Sequence, residues 1–262
     1  FPSMLFTQGV ATVTGWFAGL FLANSLMTLV AYKIRMPERP SRTLPEFFKL
    51  RFEPYADRSG LQVITAVSVC TAYIAYIVLQ VKAVGMIVSS VTGFPYAAAV
   101  FAFLLFLAYT ASGGMWTVAW GDVINGIFII VGLFIGGGIV LYQVGGWSAL
   151  WQGIEATTAP ALAGGKLIAT GALLNPLGTF GGAAMLGIFL SNGLGGAVSP
   201  HATARMRGAR NSKTAILMCL YSVGFVFLCF LPILIIGLGG RLLIGTMPAG
   251  KGSDWIMPLL LT

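Results

Sequence analysis

The sequence predicts an all-α polytopic membrane protein with about six transmembrane helices, and three observations carry that prediction. The first is composition: apolar side chains make up 57% of the residues and charged ones 8%, with a mean hydropathy of +0.90. A soluble domain is about a quarter charged, so this chain has too little polar surface to cover itself in water. The second is a series of apolar runs at about 9–32, 61–91, 96–112, 117–142, 177–199 and 214–239. A helix crosses the hydrocarbon with roughly 20 such residues. The third is where the charges lie. Segment 33–58 carries seven Lys/Arg and segment 201–213 carries four, whereas 143–176 and 240–256 share three, Lys166, Arg241 and Lys251. Basic residues stay on the cytoplasmic side, and six alternating spans put both basic loops on one side. Loops 33–58 and 201–213 are therefore expected to be cytoplasmic.

The elements follow in order. Residues 1–8 read as the tail of an earlier helix, and the second run is long enough to tilt or protrude. Between the first two runs, residues 43–52 read TLPEFFKLRF. Thr43 and Glu46 have the spacing of a capping box, in which each side chain takes a backbone N–H of the other's end. Pro45 is tolerated in that first turn. Phe47, Phe48 and Phe52 interleave with Lys49 and Arg51, which predicts a short helix lying on the cytoplasmic headgroups. In the outer segment 143–176, Trp147 and Trp151 are expected at the interface. Its middle, Ala156 to Leu174, is weakly apolar and is compatible with a short surface helix or with irregular chain. The chain begins at Phe1 and ends in a fresh apolar run, Met257 to Thr262. Residues 1–262 are read as one membrane domain, an internal piece of a longer protein.

Several function classes find no support. The net charge of +8 comes from two inter-helix loops, which does not suggest nucleic acid. Cys70, Cys219 and Cys229 fall inside apolar runs and form no disulfide or metal framework. Gly164, Gly165 and Lys166 lack the rest of a phosphate-binding loop. No nucleophile elbow or pair of carboxylates suggests an enzyme.

Candidate functional residues stand out against the lipid. A charge at membrane depth is costly and marks function by default; Lys82 and Asp122 are the charges placed inside the long apolar runs. Asp122, near the start of the fourth run, either handles a cation or proton or is favoured by the helix N-terminal dipole. Lys82, about 13 Å below the outer end of its run at about 1.5 Å per residue, either snorkels to the interface or lines a cavity. In a cavity it would favour an anionic solute or replace a bound cation, with Gln80 as a polar neighbour. The fifth run, GGAAMLGIFLSNGLGGAVSP from 181 to 200, is the unusual one. Gly182, Gly187, Gly193, Gly195 and Gly196 weaken a helix, and Ser191 and Asn192 sit among them. Two readings stand: a discontinuous helix of the kind that builds transporter substrate sites, or a glycine face for a close neighbour. His201 lies between Pro200 and the basic loop, where it suits a boundary cap or gate hydrogen bond. Gly132, Gly136, Gly137 and Gly138 read as packing.

Three stretches in order resemble the sodium/solute symporter family, which includes proline, pantothenate, acetate and sodium/sugar transporters. They are residues 43–52, residues 109–122 (YTASGGMWTVAWGD), and residues 200–205 (PHATAR) followed by Lys213. The family has a leucine-transporter-type inverted-repeat fold with ten core helices. The resemblance implies that this chain covers core helices two to seven, so that the fifth run is the broken sixth core helix. It implies solute contacts from Ser191, Asn192, Gly195 and Gly196, cation coupling at Asp122, and a gate or boundary segment at Pro200, His201 and Arg205. The main sodium site is built from core helices one and eight, which lie largely outside this chain. Lys82 has no counterpart expected from the family, and Asn192 and Gly196 stand where aromatic residues are common. The function implied is sodium-coupled symport of a small polar organic solute across the bacterial inner (plasma) membrane. The partners implied are the solute, sodium, the bilayer and the remaining half of the transporter. The alternatives are a solute-sensing domain fused to a histidine kinase and a sodium-independent transporter, proton-coupled or uniport.

Overall fold

The structure is a computed structural model that describes residues 1–34, 41, 43–157, 159–160, 167–168, 170–178, 180–245, 256 and 260. It is helical almost throughout. In order come α1 (Pro2–Gln8), a π-helical turn (Val13–Phe17) leading into α2 (Ala18–Ile34), α3 (Leu44–Phe52) and α4 (Gly60–Thr92). Then follow α5 (Tyr96–Val144), α6 (Trp147–Ala156), α7 (Gly181–Ala197), α8 (Pro200–Gly208) and α9 (Ser212–Ile244). Among the described residues six stretches are long and apolar enough to cross a membrane: Val13–Ala31, Gly60–Ser89, Tyr96–Gly114, Trp116–Val144, Gly181–Gly208 and Ser212–Ile244. With 57% apolar residues behind them, the chain is an integral membrane protein.

The third and fourth spans meet at a single residue. Gly114 has φ 67° and ψ −167° inside the otherwise helical α5, a region that side-chain-bearing residues essentially do not enter. The corner therefore falls on the second glycine of the pair Gly113–Gly114. The carbonyl of Gly113 accepts from Thr117 Oγ1 at 2.8 Å.

Two expectations need correction, and the open reading of the outer segment is narrowed. The sixth helix runs on to Ile244, so Arg241 lies within it and is 7% exposed. It stacks over the Phe6 ring, 5.0 Å from the centroid, which partly offsets burying a guanidinium. In segment 143–176 residues 158, 161–166 and 169 lie outside the described ones, and the described residues after Ala156 form no α-helix. Instead Ala159 and Pro160 pair antiparallel with Ile168 and Leu167, and a single 3-10 turn covers Ala172–Leu174. Gly171, at φ 77°, opposes an α-helix at that point. Finally, the fifth run is helical through all its central glycines, as described below.

The chain divides into two compact units: Phe1–Thr14 with Leu79–Gly182 and Leu228–Thr262, and Gly15–Val78 with Ala183–Phe227. In the first, Leu5, Phe6, Leu150, Ile154, Leu173, Ile236 and Leu238 form buried core. A Cβ on Gly237 would collide with Leu5, and one on Gly153 would lie 2.8 Å from Leu242 Cδ1. Gly137 gives way to Pro232, 3.2 Å from its virtual Cβ. In the second, Ala31, Ala202, Met206, Ala215 and Cys219 form one buried cluster joining α2, α8 and α9. Ser222 Oγ donates to Asn24 Oδ1 at 2.7 Å within that unit, and Asn24 Nδ2 donates to the Leu20 carbonyl.

The capping box of α3 is complete. The Glu46 N–H donates to Thr43 Oγ1 at 3.2 Å, and the Thr43 N–H donates to Glu46 Oε2 at 3.4 Å. Phe48 and Phe52 stack at 6.0 Å, and Phe52 is exposed.

Gly114→Ala is expected to cost about 1–3 kcal/mol, because alanine must be held in a backbone region reserved for glycine. Thermal unfolding of the detergent-purified protein should show a lowered midpoint, whereas Gly121→Ala, in open space, should leave it unchanged or raised.

Candidate functional site

Helix α7 carries the densest set of candidate residues, and it presents two different faces. A Cβ on Gly193 would lie 2.6 Å from Leu22 Cδ2, and one on Gly196 would lie 2.7 Å from Ala23 Cβ. From the α2 side, Gly19 meets Asn192 Cβ at 2.8 Å, and Gly15, in the π-helical turn, meets Met185 Sδ at 2.7 Å. These glycines let the two helices approach backbone to backbone, as small residues do between membrane helices. Gly187 and Gly195 have nothing within 4 Å of a virtual Cβ, and Ser191 between them is exposed. The spacing 187, 191, 195 makes one open, small-residue stripe. Ser191 and Gly195 thus share the open face, while Gly196 belongs to the packed one. Asn192 is half-buried, and its amide donates to the Ile188 carbonyl at 2.8 Å.

The expected discontinuity is displaced. Helix α7 is unbroken from Gly181 to Ala197, and the break falls at Val198–Ser199. Each glycine costs up to about 1 kcal/mol in a helix, and close packing on α2 offsets that. Pro200 decides the position of the break, because it has no N–H to offer α7 but fits the first turn of α8.

Helix α8 is held at both ends of its face. Ala202 and Met206 are buried in the cluster with Ala31, and α3 also lies against α8. Glu46 is close enough to attract Arg207, while Arg205 is exposed. At its start, the His201 N–H donates to Tyr73 Oη at 3.1 Å. The His201 Nδ1 lies 2.8 Å from the same oxygen. The two rings meet edge to face with centroids 6.2 Å apart. His201 was expected to form a boundary hydrogen bond, but nothing in the sequence pointed to Tyr73, which lies in an apolar run far away along the chain. Asn24 and Ser222 were likewise unmarked; a polar side chain deep in a helix of apolar residues was the available signal.

Gln80, Lys82 and Asp122 belong to the other unit and are exposed. Gln80 and Lys82 ride on α4, just before Gly85, whose open side receives Tyr96. Asp122 lies on α5 about two turns beyond the Gly114 corner. That position is past the first turn, where the helix-dipole benefit falls away, so the dipole does not account for a carboxylate there.

The family model described as "Sodium:solute symporter family" matches residues 1–259. The sodium/proline symporter of Salmonella typhimurium (strain LT2) is 29% identical over 238 residues, covering 86% of this chain and 45% of that protein. The chain thus spans less than half the length of that curated relative. No solved structure matches it.

Gly196→Leu is expected to destabilise the protein by about 1–3 kcal/mol, the usual cost of forcing volume into a packed contact. Gly195→Ala should be neutral or stabilising by up to about 1 kcal/mol. Thermal unfolding of both variants in the same detergent checks the two faces; equal losses would contradict the assignment.

Proposed function

The chain belongs to the sodium:solute symporter family, and from that premise we propose that it is the part of a sodium-coupled symporter that carries a small polar organic solute. The proposal rests foremost on the family match, which runs across residues 1–259 and all six membrane-length helices. The name of the Salmonella relative, a sodium/proline symporter, supports the same reading. Residues 1–262 act as one membrane domain of a longer transporter, with core helices two to seven inside it. Loops 33–58 and 201–213 face the cytoplasm, and the protein resides in the bacterial inner membrane.

The residues divide the work as follows. Ser191 and Gly195 offer the solute a hydroxyl and close backbone approach on the open side of α7. The Asn192 carbonyl oxygen adds a polar contact there, and Gln80, on α4, is a separate polar candidate for the solute. Asp122 attracts the incoming cation; its carboxylate stands in an apolar helix beyond reach of the helix-dipole benefit, and a membrane-embedded acid is a functional site by default. Pro200, His201 and Arg205 form the gate or boundary segment. Movement of one bundle of helices against another around a fixed site then couples the sodium gradient to solute passage.

Uptake by the full-length protein in proteoliposomes should require an inward sodium gradient, and uptake indifferent to sodium would overturn the reading. Asp122→Asn should raise the sodium concentration for half-maximal uptake by about tenfold or more, since bonds to a charged group are worth about 1.5–3 kcal/mol.

Lys82 favours a second reading, sodium-independent transport, because a fixed cation on α4 can stand in for a bound one. Lys82→Met separates the two. An unchanged sodium and pH profile leaves sodium coupling in place, and a newly acquired sodium requirement supports replacement by lysine.

A further inference from the structure

Helix α8 has two candidate N-caps, and one of them is idle. The first N–H groups of a helix find no partner within it, and the residue before the first turn usually supplies a side-chain oxygen. Ser199 holds that place with the extended backbone a cap needs, φ −57° and ψ 135°, but makes no side-chain cap bond. Its hydroxyl is buried and has no hydrogen-bond partner. The cap comes instead from α4, where Tyr73 Oη accepts the His201 N–H at 3.1 Å and meets Nδ1 at 2.8 Å. A phenol has one proton and two lone pairs. It accepts from the backbone N–H and shares a second hydrogen bond with Nδ1, whose direction follows the imidazole tautomer.

Helix α8 is also a short element with non-helical joints on both sides. It spans Pro200–Gly208, bounded by Val198–Ser199 before it and Ala209–Asn211 after it. An element that can trade one cap for another at little cost is bistable. Resting on the transport reading above, we propose that Tyr73 is a positioning residue of the transport cycle: its hydroxyl caps α8 and ties it to α4. When α8 moves away, Ser199 takes over the cap. The foreign cap holds one state and the local cap the other, so each lost bond is replaced within the same turn.

The two caps predict shifts of opposite sign, which a merely structural role would not produce. Ala202, 8% exposed between α8 and α2, becomes the reporter as Ala202→Cys, with Cys70, Cys219 and Cys229 replaced by Ala. The rate of maleimide labelling of the full-length protein in proteoliposomes then reads how often α8 lifts. Tyr73→Phe should label about fivefold faster, the worth of a net hydrogen bond. Ser199→Ala should label about fivefold slower, because the lifted state loses its cap. His201→Ala, which keeps the backbone bond, should accelerate labelling less than Tyr73→Phe and add nothing in the Tyr73→Phe background. Equal rates throughout, or Tyr73→Phe and Ser199→Ala shifting together, would overturn the proposal. If Tyr73→Phe does not fold, Ser199→Ala and His201→Ala still decide between these outcomes. Sodium-indifferent uptake by the unmodified protein in the same vesicles would remove the transport reading alone, since the labelling rates report the two caps without reference to the ion.

Discussion

Every backbone N–H and C=O that leaves a helix in an apolar surrounding needs another partner, and this constraint shapes the whole chain. Lipid offers no hydrogen bonds, so irregular backbone survives there only where protein or a watery cavity satisfies it. The protein departs from regular helix at a few places, and a named group answers each of three. After α1, Gly9 turns with φ 60°, and the next N–H, Val10, donates to the Leu173 carbonyl at 2.8 Å. At the Gly114 corner the Gly113 carbonyl accepts from Thr117 Oγ1 at 2.8 Å. At the Val198–Ser199 break the first N–H of α8 finds Tyr73. Two of these partners come from distant segments, so the breaks also tie the chain together within its units.

Close packing supplies the rest of the stability. Between membrane helices there is no hydrophobic driving force to speak of, and van der Waals contact with occasional hydrogen bonds must do the work. The α2–α7 contact shows this: Gly15 and Gly19 on one helix and Gly193 and Gly196 on the other remove the side chains that would hold the backbones apart. Nearby, Ser222 Oγ lies 2.7 Å from both Asn24 Oδ1 and the Cys219 carbonyl, and the Asn24 amide donates to the Leu20 carbonyl. In the other unit, Arg241 lies over the Phe6 ring, which partly offsets its burial. The side of α7 that carries Ser191 and Gly195 is left open.

Much of this was legible in the sequence because the bilayer is a severe filter. Hydropathy located all six spans, since a helix must hold roughly 20 apolar residues to cross. The capping box at Thr43 and Glu46 was readable because both partners lie within one turn. The fifth run was harder. Its glycines were consistent with both a broken helix and a packing face, and composition alone does not say which neighbour presses on which glycine. The structure assigns Gly193 and Gly196 to packing and moves the break to the proline. Arg241 was misplaced because a buried arginine and a loop arginine look alike until the opposing Phe6 is known. The Tyr73–His201 bond was invisible because it joins positions far apart in sequence and uses a residue type common in membrane helices. Lys82 and Asp122 were legible as anomalies, because a charge inside a long apolar run stands out in composition alone.

The chain belongs to the sodium:solute symporter family, and its helices are interrupted with substitute partners at the breaks named above. At the breaks after α1 and before α8, a distant segment supplies the partner that the helix no longer does. Amide hydrogen exchange of the protein in lipid nanodiscs, resolved at Val10 and His201, tests it most directly. Both amides should exchange as slowly as those inside α2 and α9. Exchange at the rate of an unprotected amide at either position would contradict the account.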